Sequence, residues 1–195
     1  VIAPLLGPNM ALALATTLAD VKMARRALRS AAVGIGMALV IALICGLLSR
    51  VDPTVGEIAS RTRVTMADIA LALASGFAGA LAFTTGLSTT VVGVMVSVAL
   101  LPPLTVFGML LGAGEGKQAT AALGLFLVNI ICVNLAGVAT FLFQGIRPAT
   151  WWEAGRARRA TLLAMVIWAL VLALLAVVIA WVRHVIGAGH AGPGA

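Results

Sequence analysis

Apolar residues run through this chain in long stretches, and polar residues punctuate them at a few short sites. The first stretch is 1–19, VIAPLLGPNMALALATTLA. A basic segment, 20–30, follows with Lys22, Arg25, Arg26 and Arg29. The second stretch is 31–49, and a longer polar connection, RVDPTVGEIASRTRVTM at 50–66, comes after it. The third run is 67–83, the fourth 88–111 and the fifth 119–143, with the glycine-rich GAGEGKQ joining the last two. A second basic segment, 147–159, leads to a sixth run, 161–182, and the tail GAGHAGPGA is expected to be disordered. None of these runs alternates with the period of two that a barrel strand needs. A backbone crossing lipid must satisfy its own hydrogen bonds, which leaves helices. At about 20 residues per crossing, the pattern predicts an all-α, polytopic transmembrane bundle of about six spans.

Two details refine the runs. In 50–66, Asp52-Pro53 and Thr54 are helix-start residues, and Val55, Ile58, Ala59 and Thr62 follow at helical spacing. That reads as a short amphipathic helix on the membrane surface, with a solvated loop as the alternative. The third run is dense in small residues: Ala72, Gly76 and Ala80 lie four apart, with Ser75 and Gly79 beside them. Such spacing lets helix backbones approach closely in lipid; an alanine-rich composition alone would produce it too.

Composition agrees with lipid as the main solvent. The chain is 62% hydrophobic and 10% charged, with mean hydropathy +1.15, whereas soluble domains are about 45–50% apolar and about 25% charged. A net charge of +7 would suit nucleic acid, but the basic residues flank apolar runs, where they set topology. The first, third and fifth turns hold eight Lys or Arg against four in the second and fourth. This bias places 20–30 and 147–159 on the cytoplasmic side of the membrane. Trp151, Trp152 and Trp181 suit the interfacial belt. Cys45 and Cys132 sit inside apolar runs with no CxxC spacing and read as reduced packing residues. The start at Val1, with no basic leader, reads as an internal fragment of a longer protein.

Sliding the chain on itself by 95 positions superimposes two proline-bearing stretches. Pro8 meets Pro103, Asp20 meets Glu115 and Lys22 meets Lys117, with a scatter of Ala, Leu and Val matches around them. Three spans separate equivalent points, so a repeat here must be inverted in the membrane. The expected organisation is a core over 1–145, with a truncated first unit (1–66) and a second unit (67–145). A basic cytoplasmic turn (146–160), a last span (161–183) and the tail (184–195) follow. Residues 88–95 and the third span find no counterpart in the first unit, which implies a missing upstream helix.

The strings APLLGP, ALASGFAGA, VGVMVSVALLPPL and LFLVN resemble the bacterial "domain of unknown function 389" family of hydrophobic membrane proteins, over roughly 1–145. The resemblance implies another helix ahead of APLLGP and says nothing of activity. The chain departs from the family pattern at Asn9.

Proline inside a span removes a donor and frees the carbonyl four residues back; Pro102 and Pro103 would free those of Val98 and Ala99. The candidates for a substrate path are therefore Pro4, Gly7, Pro8 and Asn9 at one break, and Ser97, Pro102, Pro103 and Thr105 at the other, with Asn129 and Asn134 nearby. A packed kink with no ligand, or amides acting as glue between helices, would use the same residues. Asn129 and Asn134 lie about 140° apart around a helix and face different ways. No charge falls clearly mid-span, which counts against a carboxylate proton relay and suits a neutral solute or a partly dehydrated ion. GAGEGKQ fails as a phosphate loop, with Leu111 and Gln118 at the positions of its first glycine and its hydroxyl residue. His184 and His190 lack partners spaced for metal, and no nucleophile–His–acid set is visible. No enzyme, metal or cofactor is expected. Arg156, Arg158 and Arg159, with the first basic segment, suit anionic headgroups or plain topology signalling. The expected partners are membrane lipids and a second copy of the chain, without nucleic acid. The function expected is a transporter or channel for a small solute or ion. The alternative is a non-transporting scaffold or assembly subunit that binds partner helices and anionic lipid.

Overall fold

The structure is a computed structural model that describes residues 5–49, 51–53, 55–86 and 89–146, with five further positions: 166, 169, 170, 173 and 177. Pro4, Thr54, Trp151, Trp152, Arg156, Arg158, Arg159, Trp181, His184 and His190 lie outside the described residues, as does most of the sixth run.

Six helices follow in order among these residues, and no strand occurs among them. They are α1 (Leu6–Leu18), α2 (Val21–Leu48), α3 (Gly56–Ser60), α4 (Met66–Thr85), α5 (Thr89–Gly112) and α6 (Gly116–Phe143). Four of them, α2, α4, α5 (over Gly93–Gly112) and α6, are long and apolar enough to cross a membrane. α1 spans 13 described residues and is shorter than a crossing requires. The fold is thus an all-helical, multi-pass membrane bundle.

The joint between α1 and α2 corrects the reading of 20–30 as a turn. Only Ala19 and Asp20 make the turn. Ala19 takes the left-handed conformation (φ 54°), its N–H donates to the Thr16 carbonyl at 3.2 Å, and the Asp20 N–H donates to the Ala15 carbonyl at 2.9 Å. These bonds satisfy carbonyls that a helix end leaves open. The Asp20 carboxylate then accepts from the Met23 N–H at 3.0 Å and caps α2. Lys and Arg are good helix formers, so the basic residues continue the helix instead of ending it. The 28 residues of α2 extend about 42 Å, beyond a hydrocarbon core of about 30 Å. Lys22, Arg25, Arg26 and Arg29 lie in its first two and a half turns, all exposed and at one-face spacing.

The α5–α6 joint repeats this geometry 95 positions on. Gly114 has φ 82°, its N–H donates to the Leu111 carbonyl at 3.2 Å, and the Glu115 N–H donates to the Leu110 carbonyl at 2.9 Å. α6 is also 28 residues long.

The connection 49–65 holds the short helix α3, in which Ile58 and Ala59 are half-buried. α4 opens with a capping box: the Thr65 hydroxyl accepts from the Asp68 N–H, and the Asp68 carboxylate accepts from the Thr65 N–H at 2.9 Å.

α6 is the centre of the bundle and packs on α1, α4 and α5; α5 also packs on α2. The core joins Leu5, Met10, Leu100, Leu104, Val133 and Phe141. Small residues set the helix separations. A Cβ on Gly76 would fall onto the Val133 backbone and 3.0 Å from the Ala136 methyl, so α4 meets α6 backbone to backbone at this point. Ala72, Ser75, Gly79 and Ala80 are buried with it, and Gly79 lies against Met10 of α1. Between α2 and α5, Gly46 touches the Met109 backbone and Gly112 the Leu43 carbonyl. Ala42/Gly46 and Gly108/Gly112 carry the same four-residue spacing as Ala72/Gly76, a signal that the sequence reading passes over.

Candidate functional site

The prolines behave differently from two matched breaks. Pro8 is the third residue of α1, in the first turn, where an N–H has no partner inside the described helix. Pro102 and Pro103 lie inside α5, which runs through them without interruption. The reason is tertiary. The Ala99 carbonyl, deprived of a donor at residue 103, accepts from the side-chain amide of Asn129 on α6 at 2.8 Å. The Thr105 hydroxyl donates to the carbonyls of Leu101 and Pro102, one turn back on its own helix, where backbone donors are present in any case. The Asn129 amide that the sequence assigns to a path thus first satisfies the carbonyl that Pro103 leaves open.

A second polar contact lies about 7.5 Å further along α6, five residues on. The Asn134 amide donates to the Asn9 side-chain carbonyl at 2.9 Å and to the Ile130 backbone carbonyl at 2.9 Å. The Asn9 amide donates in turn to the Leu5 carbonyl at 2.7 Å, at the N-cap of α1. Because both amides donate to backbone carbonyls, their nitrogen and oxygen ends are assigned by the bonding. The two asparagines use the angle between them: Asn129 faces α5 and Asn134 faces α1.

The structure therefore brings Asn9 and Asn134 together, and Asn129 to the proline pair. Gly7 is exposed, with nothing near its α-carbon that a methyl would meet. Three side-chain oxygens are buried without a partner among the described residues: Ser97 Oγ on α5, and Asn129 Oδ1 and Asn134 Oδ1 on α6. Each can accept a hydrogen bond or a cation, and among the described residues no charged side chain is buried. Among the described residues no group of His, Cys, Asp or Glu is placed to hold a metal ion.

One contact had no counterpart in the sequence reading. Gln144, at the C-terminal end of α6, donates to the Thr84 hydroxyl at 2.8 Å and ties that end to α4.

Comparison with known proteins gives a family and no activity. The model of the family described as "Domain of unknown function (DUF389)" matches residues 1–135. An uncharacterised protein of the archaeon Methanocaldococcus jannaschii is 40% identical over 168 residues, covering 86% of this chain and 52% of its own length. The chain thus spans about half the length of that curated relative, and the resemblance is not confined to bacteria. No solved structure matches.

Proposed function

The chain belongs to the DUF389 family, and from that footing we propose that it passes a small neutral solute or a partly dehydrated cation along the seam between α1, α5 and α6. The observation that carries this reading is the set of three partnerless oxygens at Ser97, Asn129 and Asn134. A buried polar atom left unpaired costs about 1–3 kcal/mol, and an apolar residue at these positions would avoid that cost. Neutral acceptors lining a path in lipid suit a ligand that donates hydrogen bonds or exchanges hydration oxygens for protein oxygens.

An inverted repeat supports the reading, since transport sites lie where such units meet. α2 and α6 have equal length and both ends 95 positions apart, and the turns before them share the same bonds. With α2, α4 and α5 each crossing once, α1 and α5 enter from opposite faces. The basic face of α2 then lies in the cytoplasm and the 113–115 turn outside.

The test is flux in liposomes. The parent chain should admit urea, glycerol or a monovalent cation faster than empty vesicles. Asn134→Leu and Asn129→Leu, confirmed as folded by helix content and size, should lose most of that flux. Flux equal to empty vesicles for all of these solutes in the parent would reject transport.

The scaffold reading keeps one observation of its own. α2 presents Val33, Met37, Val40, Ile41 and Ile44 uncovered, beside its basic face. Gly76 does not serve that reading, because it is used inside the chain against α6. A parent chain without flux that forms stable oligomers through α2 would favour it.

A further inference from the structure

The first turns of α2 carry charges in an arrangement that the helix itself disfavours. Lys22, Arg25, Arg26 and Arg29 lie near its N-terminus, where the helix dipole is positive and cations are unfavourable. They also neighbour one another at i,i+3 or i,i+4, as 22/25, 22/26, 25/29 and 26/29, and like charges at such spacing weaken a helix. No acid from the helices around them offsets this. Asp20 caps α2 through the Met23 N–H. α1 and α5, which pack on α2, contain no charged residue. The remaining described acids sit at the other end of the bundle. α2 and α5 run parallel, since Leu39 and Ala42 meet Gly108 while Leu43 and Leu47 meet Gly112. α4 and α6 run parallel too, since Gly76 meets Ala136 and Thr84 meets Gln144. Asp52 and Glu57 after α2, Asp68 at the start of α4 and Glu115 before α6 therefore share the far end. Arg29 is about 28 Å from Leu48 along the axis, too far for an ion pair. Glu153 lies outside the described residues.

The cations share one face. They lie within about 100° of one another around α2, and Met23, Ala24, Ala27 and Ala31, buried or half-buried, lie on the opposite side. Beyond Arg29 the same arc continues as Val33, Val40, Ile44 and Leu47, all exposed. The depth fits a bilayer. The apolar part of α2, 31–48, is about 27 Å long, close to a hydrocarbon core of about 30 Å. Lys22 to Arg29 adds about 10 Å, which spans the headgroup layer of one leaflet, about 5–8 Å deep. A topology signal needs cations on one side of the membrane in any arrangement. It does not need them on one face of a helix, in line with an uncovered apolar stripe. Lipid accepts such a stripe whatever its headgroup; the cations at its end select the headgroup.

We propose that this face of α2 is a binding site for an anionic phospholipid, with the phosphate held by the basic arc and an acyl chain lying along Val33, Val40 and Ile44. Lys22/Arg26 and Arg25/Arg29 are i,i+4 pairs with β-carbons about 5–6 Å apart, a separation that one phosphate bridges through charge-assisted bonds. Binding relieves the repulsion within each pair and the unfavourable placement on the helix dipole. A free phosphate would use the arc and leave the apolar stripe without a role. A second chain in the same orientation, docked through α2 about a two-fold axis, would bring like charges together at this depth. The site stands on α2 and its neighbours and is independent of the seam between α1, α5 and α6.

The test uses the full chain in a non-ionic detergent, where membrane orientation plays no part. Phosphatidylglycerol and phosphatidylcholine with identical acyl chains are supplied at equal mole fraction, and lipid retained per chain is counted by native mass spectrometry. The parent should prefer phosphatidylglycerol by roughly ten-fold or more. Arg25→Gln/Arg29→Gln should bring that preference to near unity, since each basic charge is worth about five-fold. Arg61→Gln/Arg63→Gln removes the same charge from the connection at the far end and should keep the preference. Circular dichroism checks that both variants, altered on the surface, hold their helix content. Glycerol phosphate at millimolar concentration should not displace the lipid. Three results would overturn the proposal: no headgroup preference in the parent, equal losses in the two variants, or displacement by glycerol phosphate, which would make the arc a site for phosphate alone. Flux is not measured, so none of these results bears on the transport reading.

Discussion

Asn129 is the residue through which the proline pair is held, and its role can be separated from ordinary packing. The Ala99 carbonyl accepts its amide at 2.8 Å, and both residues are buried, at 3% and 4% exposure. No backbone donor is available to that carbonyl because residue 103 is proline. Removing the amide strands a buried carbonyl, at about 1–3 kcal/mol. Interhelical hydrogen bonds measured in lipid average only about 0.6 and reach about 1.7 kcal/mol, because separated helices find other partners. A separated α5 has no such remedy at Ala99, so the upper part of that range applies. Asn129→Leu also deletes an unpartnered Oδ1, which offsets part of the loss and makes the single variant a poor measure. The cycle with Pro103→Ala is cleaner, since it restores an N–H aimed at Ala99. We expect Asn129→Leu to cost about 1–1.5 kcal/mol more with Pro103 present than in the Pro103→Ala background. Unfolding in mixed detergent micelles, followed by helical circular dichroism, reads the difference. Equal costs in the two backgrounds, within about 0.3 kcal/mol, would refute the assignment.

Three further outcomes follow from the packing and charge. Gly46→Leu drives a side chain into the Met109 backbone and should destabilise the chain by about 3 kcal/mol or more, whereas Gly36→Ala on the same helix meets nothing within 4 Å and should be neutral in the same unfolding assay; equal losses would sink the account of the α2–α5 contact. Asn9→Leu or Asn134→Leu alone should each cost about 1–2 kcal/mol, and the double variant less than their sum, because the pair bonds directly; strict additivity would show the two to be independent. Replacing Arg25, Arg26 and Arg29 by Gln should send a measurable fraction of chains into the inverted orientation, read by labelling a cysteine placed at Ser30 from either side; an unchanged labelling pattern would remove these residues from topology.

Hydropathy marks where lipid ends, and helices end where capping and turn chemistry say so. That distinction explains which boundaries were legible. α4 and the third apolar run nearly coincide because Thr65 and Asp68 cap the helix where the lipid-soluble residues begin. α2 starts ten residues before its apolar run, since Asp20 caps it and Lys22 to Arg29 extend it through the headgroup region. Pro102-Pro103 read as a break because the donor that repairs it sits on another helix, 30 positions away. The Asn9–Asn134 pair spans 125 positions, and no local pattern could join them. The 95-position shift is a different case. Its sequence matches are sparse, because most positions need only be apolar, yet the bounds of α2 and α6 and the bonds of the turns before them coincide under it. Those features depend on backbone geometry, which drifts more slowly than side-chain identity when lipid accepts almost any apolar residue. The asymmetry between the units is then the informative part. Asn129 and Asn134 correspond to Gly34 and Leu39, and Asn9 to Leu104. The amides come from both halves, Asn9 from one and Asn129 and Asn134 from the other, and none has an amide at its counterpart, so a solute meeting them would find a single site, not a pair.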